Sequence, residues 1–193
     1  HFMLKEIYEQ PRALKDTLHP RLAEGLTGIL KTELDGLPAP ERIHMVACGS
    51  AMHAAMLGRH AIEKYARIPV TVDIASEFRY REPILAKDDL CVIISQSGET
   101  ADTLAALRLA KRQGVPVAAI VNVVGSSIAR EADYVMYTWA GPEIAVATTK
   151  AFSCQTAMLY LFALRLALQR KCLTEKEAGE LAQALYDLPE LVS

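Results

Sequence analysis

Along the middle of the chain, short apolar runs alternate with stretches of helical periodicity. The runs are Ile43–Cys48, Val70–Ala75, Leu90–Ile94, Val117–Asn122 and Tyr134–Thr138, and each reads as a strand. None alternates strictly between apolar and polar residues, which is the pattern of strands covered on both faces. Helices are predicted between them at Ala51–Ala66, Ala101–Gln113 and Ser127–Glu131, with only a turn or two over Ser76–Tyr80. Pro69, Gly114 and Pro116 punctuate the returns from helix to strand. Strand–helix repetition of this kind predicts an α/β fold, a three-layer αβα sandwich around a five-stranded parallel sheet.

The flanks read differently. Residues 1–36 carry two helical segments, Met3–Leu18 interrupted at Pro11 and Arg21–Asp35, and the loop "GLPAPERI" follows. Residues 151–193 read as C-terminal helices, beginning with the long apolar stretch Ala151–Gln169. Its length approaches the ~20 residues of a membrane span. Gln155, Arg165 and Gln169 interrupt it, and an arginine near a bilayer centre costs ~2.5–3.5 kcal/mol on insertion scales. A buried helix is therefore expected, and one apolar on most sides needs cover from a packed domain or subunit. Without an internal repeat or a domain-scale linker, residues 1–193 read as a single domain.

With 193 residues, 51% apolar, 23% charged and 6% aromatic, the composition is that of a soluble globular chain. The net charge is -2 with basic residues scattered along the chain, which supplies no footprint for nucleic acid or an anionic membrane. Cys48, Cys91, Cys154 and Cys172 form no Cys-x-x-Cys pair and read as reduced thiols of a cytoplasmic protein. His53 and His60 could share a helix face, yet no further ligand completes a metal set. The N-terminal "HFMLKEIYEQPRAL" is amphipathic, unlike a secretory signal. Because the chain starts at His1 rather than Met, it is expected to be a piece of a longer protein.

Candidate chemistry gathers where strands hand over to helices. Ligands of an open parallel sheet collect at the carboxyl ends of its strands. In "CVIISQSGETADTL", Ser95, Gln96, Ser97 and Thr100 surround Gly98 just before a predicted helix. A helix N-terminus offers unpaired N–H groups and a partial positive charge, so hydroxyls added there make a phosphate site that needs no lysine. The alternative is ordinary capping. Gly49 and Ser50 in "ACGSAMH" form a second such turn, and Thr148, Thr149 and Lys150 in "GPEIAVATTKAF" a third. Lys150 reads as a solvated lysine in preference to an anion partner. Glu99 reads as complementing its own helix, and Glu143 has no identifiable acid partner. The spacings of the P-loop, the dinucleotide fingerprint and the nucleophile elbow are all absent.

Five segments in order, "HFMLKEIYEQP", "IASEFRYRE", "SQSGETADTLAALRLAK", "GSSIAREAD" and "VATTKAF", closely resemble the isomerase region of the glucosamine-6-phosphate synthases, the glutamine:fructose-6-phosphate aminotransferase family. The resemblance covers nearly the whole chain and corresponds to the first of that family's two sugar isomerase (SIS) subdomains. It implies a flavodoxin-like SIS fold and a phosphosugar ligand, fructose-6-phosphate or glucosamine-6-phosphate. Phosphate contacts would fall on Ser95, Gln96, Ser97 and Thr100, and sugar contacts on Gly49, Ser50, Val146, Ala147 and Thr148. It implies no cofactor or metal, and a homodimer whose full-length chain adds a glutaminase domain and a second SIS subdomain. The family's catalytic Glu, Lys and His lie in that second subdomain, so no catalytic residue is assigned here. Two turns depart from the family pattern. Cys48-Gly49-Ser50-Ala51 replaces Cys-Gly-Thr-Ser and lacks a hydroxyl at Ala51, and Thr148 stands where the family has serine. An SIS paralogue (a fructosamine-phosphate deglycase or amino-sugar isomerase) and a phosphosugar-sensing binding module stay open as alternatives.

Overall fold

The computed structural model describes all 193 residues. Strands β1 (Arg42–Ala47), β2 (Val70–Ile74), β3 (Asp89–Ser95), β4 (Val117–Val121) and β5 (Tyr134–Tyr137) form one sheet in the order β2-β1-β3-β4-β5. Every neighbouring pair is parallel. The predicted strands are all present, with ends displaced by no more than one residue. Their lack of alternation has a direct cause: Leu90, Val92 and Ile94 of β3 enter one core, while Cys91 and Ile93 enter the other.

The first core packs the sheet against α2 (Gln10–Leu22), α3 (Ser50–Tyr65), α7 (Lys150–Gln169) and α8 (Glu175–Leu191). The second packs its other face against α4 (Ala75–Phe78), α5 (Ala101–Arg112) and α6 (Ser127–Glu131). The result is the expected αβα sandwich. The chain leaves β1 toward β2 and leaves β3 toward β4, so the direction of winding reverses between β1 and β3. Loops on opposite faces diverge there and leave a crevice at the carboxyl edge of the sheet.

The N-terminal segment differs from its sequence pattern. Helix α1 (Phe2–Tyr8) ends at Glu9, and Pro11 opens α2 instead of interrupting a helix. A proline in the first turn lacks only an N–H that has no helical partner. The helix expected over Arg21–Asp35 does not form: Gly25 turns left-handed at φ +66° and only a 3-10 turn, Gly25–Gly28, follows. Ile29, Leu30, Leu34 and Leu37 nevertheless remain in the core, so burial produced their spacing without a helix. Arg21 is buried and donates to Glu33 (2.7 Å) and to the Tyr137 carbonyl (2.8 Å), which joins α2 to the end of β5.

Helix α7 is long and apolar enough to cross a bilayer, with 67% of its most apolar window buried inside the protein. Its cover comes from α2, α3 and α8 of the same chain, not chiefly from a neighbouring domain as the sequence led us to expect. Gly58 lets α3 approach closely, because a Cβ there would lie 2.9 Å from both terminal carbons of Leu159. The four cysteines are unpaired, and burial pushes the Cys91 thiol up to about 12 and that of Cys154 to about 11.

Gly58→Val should therefore wedge α3 from α7 and cost ~1–3 kcal/mol of unfolding free energy. Gly179 in α8 has open space at its Cβ position, so Gly179→Ala should gain up to ~1 kcal/mol from helix propensity. Urea denaturation of both variants measures the two signs.

Candidate functional site

Three segments meet at the crevice. The first is the turn after β1, where Gly49 adopts φ +56° and hands the chain directly to Ser50, the first residue of α3. A side chain in that conformation would be strained, which explains a glycine between strand and helix.

The second is the Ser95–Thr100 turn between β3 and α5. Inside it, Ser95 Oγ accepts the Gly98 N–H at 3.0 Å, and Ser97 Oγ accepts the Glu99 N–H at 3.2 Å. Three bonds from the segment after β4 hold it from outside. The Asn122 N–H donates to the Gln96 carbonyl (3.2 Å), the Ile128 N–H to the Gly98 carbonyl (3.0 Å), and the Ser127 N–H to Glu99 Oε1 (2.8 Å). Glu99 thus faces the start of α6, not its own helix α5, and the Ser127 N–H holds its carboxyl below the usual range. Thr100, the residue before α5, makes no side-chain bond to the first-turn N–H groups. Those N–H groups therefore have no side-chain cap, while the Thr100 hydroxyl, 3.4 Å from Ser95 Oγ, lines the crevice.

The third segment is 141–149, between β5 and α7. Glu143 folds back onto the start of α7, accepting from Thr148 Oγ1 (2.9 Å), the Thr149 N–H (3.0 Å) and the Ala151 N–H (3.2 Å). The N-terminal helices hold this segment and the first turns of α7. Buried Glu6 accepts the N–H groups of Ile144 (2.6 Å) and Ala145 (3.2 Å), and Gln10 Oε1 accepts from Ser153 Oγ (2.6 Å). Lys150 is buried and donates to Glu9 at 2.8 Å, so it is not the solvated lysine of the sequence reading. That bond holds the Glu9 carboxyl below its ordinary value. Asn122 joins the second and third segments: its side chain accepts the Ala140 N–H (2.8 Å) and donates to the Gly141 carbonyl (2.8 Å).

Together the segments enclose a mainly polar cleft of about 270 Å³. Ser50, Ser95, Gln96, Ser97, Thr100, Val146 and Thr148 all line it; Gly49 and Ala147 do not, Gly49 serving the turn behind Ser50. Ala51 lines the cleft with a methyl group only. No lysine or arginine is among the lining residues, and Glu143, the one carboxylate, already accepts three bonds. The cleft thus presents neutral hydroxyl and amide groups beside the start of α5, with no cation among them. Sequence reasoning missed the roles of Asn122, Glu6, Glu9 and Gln155. Gln155 carried a signal, being a polar residue early in an apolar helix; the others had none.

A doubly wound α/β module with this cleft at its winding reversal has the architecture in which small ligands collect at the carboxyl edge of the sheet. The chain belongs to the SIS domain family, which it matches over residues 37–165. Among curated proteins, it is 53% identical to a glutamine–fructose-6-phosphate aminotransferase (isomerizing) of Clostridium tetani and 55% identical to that of Caldanaerobacter subterraneus subsp. tengcongensis. The alignments cover 98% and 100% of this chain but 32% of each relative, so the chain spans about a third of their length. Among solved structures, the C-terminal domain of glucosamine-fructose-6-phosphate aminotransferase from Francisella tularensis superposes with a TM-score of 0.90 at 42% identity, covering 99% of this chain and 54% of that one.

Gly98 has φ +67°, and a Cβ there would fall 2.6 Å from that of Ser126 and closer still to its hydroxyl. Gly98→Ala should therefore distort the turn, at a cost of ~1–3 kcal/mol. Adding Ser126→Gly should restore part of that loss but leave the backbone strain. A thermal-denaturation double-mutant cycle measures the coupling, and additive effects would separate Ser126 from the turn.

Proposed function

We propose that this chain is the phosphosugar-binding SIS half of the isomerase region of a glutamine:fructose-6-phosphate aminotransferase. Residues 1–193, with the N-terminal segment and the C-terminal helices included, act in this reading as one SIS unit. The observation that carries it is the cleft at β1 and β3, lined by Ser95, Gln96, Ser97 and Thr100 and free of cations. A phosphate ester fits it: the α5 N–H groups and the hydroxyls take the phosphoryl oxygens, while Ser50, Val146 and Thr148 flank the sugar. The more than 50% identity to the two aminotransferases across the chain supports fructose-6-phosphate or glucosamine-6-phosphate as the ligand.

In the complete protein, ammonia released from glutamine by a glutaminase domain would react with the open-chain ketose phosphate. A proton would then move between C1 and C2, through an acid and base from a second SIS subdomain. Neither carboxylate beside this cleft is free for that work, since Glu143 anchors α7 and Glu99 anchors α6. This chain contributes binding and orientation. The same reading makes the protein a cytoplasmic homodimer, supported by the four free cysteines and by the exposed apolar residues Phe2, Leu4 and Tyr8 of α1.

Calorimetry with fructose-6-phosphate and glucosamine-6-phosphate tests the site. Binding is expected for the wild-type chain, and Ser97→Ala should weaken it by ~1–3 kcal/mol. A coupled assay on the same sample should show no formation of glucose-6-phosphate, because a positioned acid/base worth ~10²–10⁴ in rate is missing. Absence of binding to any phosphosugar overturns the reading, and turnover abolished by Glu143→Gln would relocate the catalytic centre to this chain. Sedimentation at micromolar concentration checks the assembly: a dimer is expected, and Leu4→Glu in α1 should shift it toward monomer.

A further inference from the structure

Gln155 stands apart among the polar groups of the cleft. It lies on α7, five residues after the helix begins at Lys150, and is only 3% exposed. The hydroxyls around it mostly have internal partners. Ser95 Oγ accepts from the Gly98 N–H, Thr103 Oγ1 donates to the Thr100 carbonyl, and Thr148 Oγ1 donates to Glu143. The Gln155 carboxamide has no hydrogen-bond partner within the chain, and it is not among the side-chain atoms sealed away from solvent. Its remaining exposure opens into the cleft. Buried polar groups are normally paired, so a buried amide that reaches only a binding cleft is poised for a ligand atom.

The chemistry of that ligand atom follows from the amide. A carboxamide offers two N–H donors and a carbonyl acceptor, which matches a hydroxyl that must both donate and accept. A phosphoryl oxygen only accepts, and the Ser95–Thr100 turn already supplies neutral donors at the other wall. We infer that Gln155 is a specificity-determining residue that hydrogen-bonds a hydroxyl of the sugar rather than its phosphate. This rests on the phosphosugar reading of the same cleft and adds to it a residue that divides sugar recognition from anion recognition.

Gln155→Met removes donor and acceptor at nearly constant volume. The 193-residue chain and this variant are titrated with fructose-6-phosphate, glucosamine-6-phosphate and inorganic phosphate, and their unliganded melting temperatures are compared. Loss of a ligand bond should weaken sugar-phosphate binding about tenfold, leave inorganic phosphate unchanged, and leave the melting temperature unchanged or raised, since no internal bond is lost. Ser97→Ala should by contrast weaken all three ligands. Three results would overturn the assignment: undiminished sugar-phosphate binding by Gln155→Met, equal losses for phosphate and sugar phosphate, or a lowered melting temperature, which marks an internal structural role. Failure of the wild-type chain to bind any of the three would overturn the phosphosugar reading itself and this assignment with it. Intact wild-type binding that is insensitive to Gln155→Met removes Gln155 alone.

Discussion

A site that takes an anion without a cation depends on the prior placement of its neutral donors. A lysine can swing toward its partner, whereas an N–H group attracts an anion usefully only if the backbone already points it there. The Ser95–Thr100 turn meets that constraint through rigidity. Ser95 and Ser97 close it from inside, while Asn122, Ser127 and Ile128 hold it from the next loop. Gly98 permits both its left-handed backbone and its close approach to Ser126. The charge of Glu99 is used to fix the turn: its carboxylate is directed to the start of α6, away from the cleft.

The same constraint extends to the far wall. Segment 141–149 has no regular structure of its own; Glu143 ties it to α7 and Glu6 holds its Ile144 and Ala145 N–H groups, while Glu9 and Gln10 hold the start of α7 at Lys150 and Ser153. The first ten residues thereby become part of the site without lining it. Asn122 closes the circuit, since its backbone N–H holds Gln96 while its side chain holds Ala140 and Gly141. The two walls thus share a fastening at the end of β4.

Helix α7 supplies the mechanical base. Its apolar body lies against α2, α3 and α8, which fixes its first turn, where Lys150 meets Glu9 and the Ala151 N–H meets Glu143. Burial on several sides accounts for its membrane-like composition. The polar residue that the composition treats as an interruption, Gln155, lies where the helix passes beneath the cleft.

The sequence by itself determined the strands, the central helices and the hydroxyl-rich turn. These follow from local rules: apolar runs for doubly covered strands, helical spacing, and glycine where the backbone turns left-handed. It misled at Arg21–Asp35, where buried leucines imitate helical spacing after α2 has ended at Leu22. Tertiary structure alone decided which polar residues face one another. Glu9 and Lys150 lie 141 positions apart, Glu6 and Ile144 138, and no local pattern marks such pairs. It also decided that Lys150 is buried, that Glu99 serves another helix and that Gln155 is left without an internal partner. Burial and pairing are properties of the packed chain, fixed only when segments distant in sequence close around the same space.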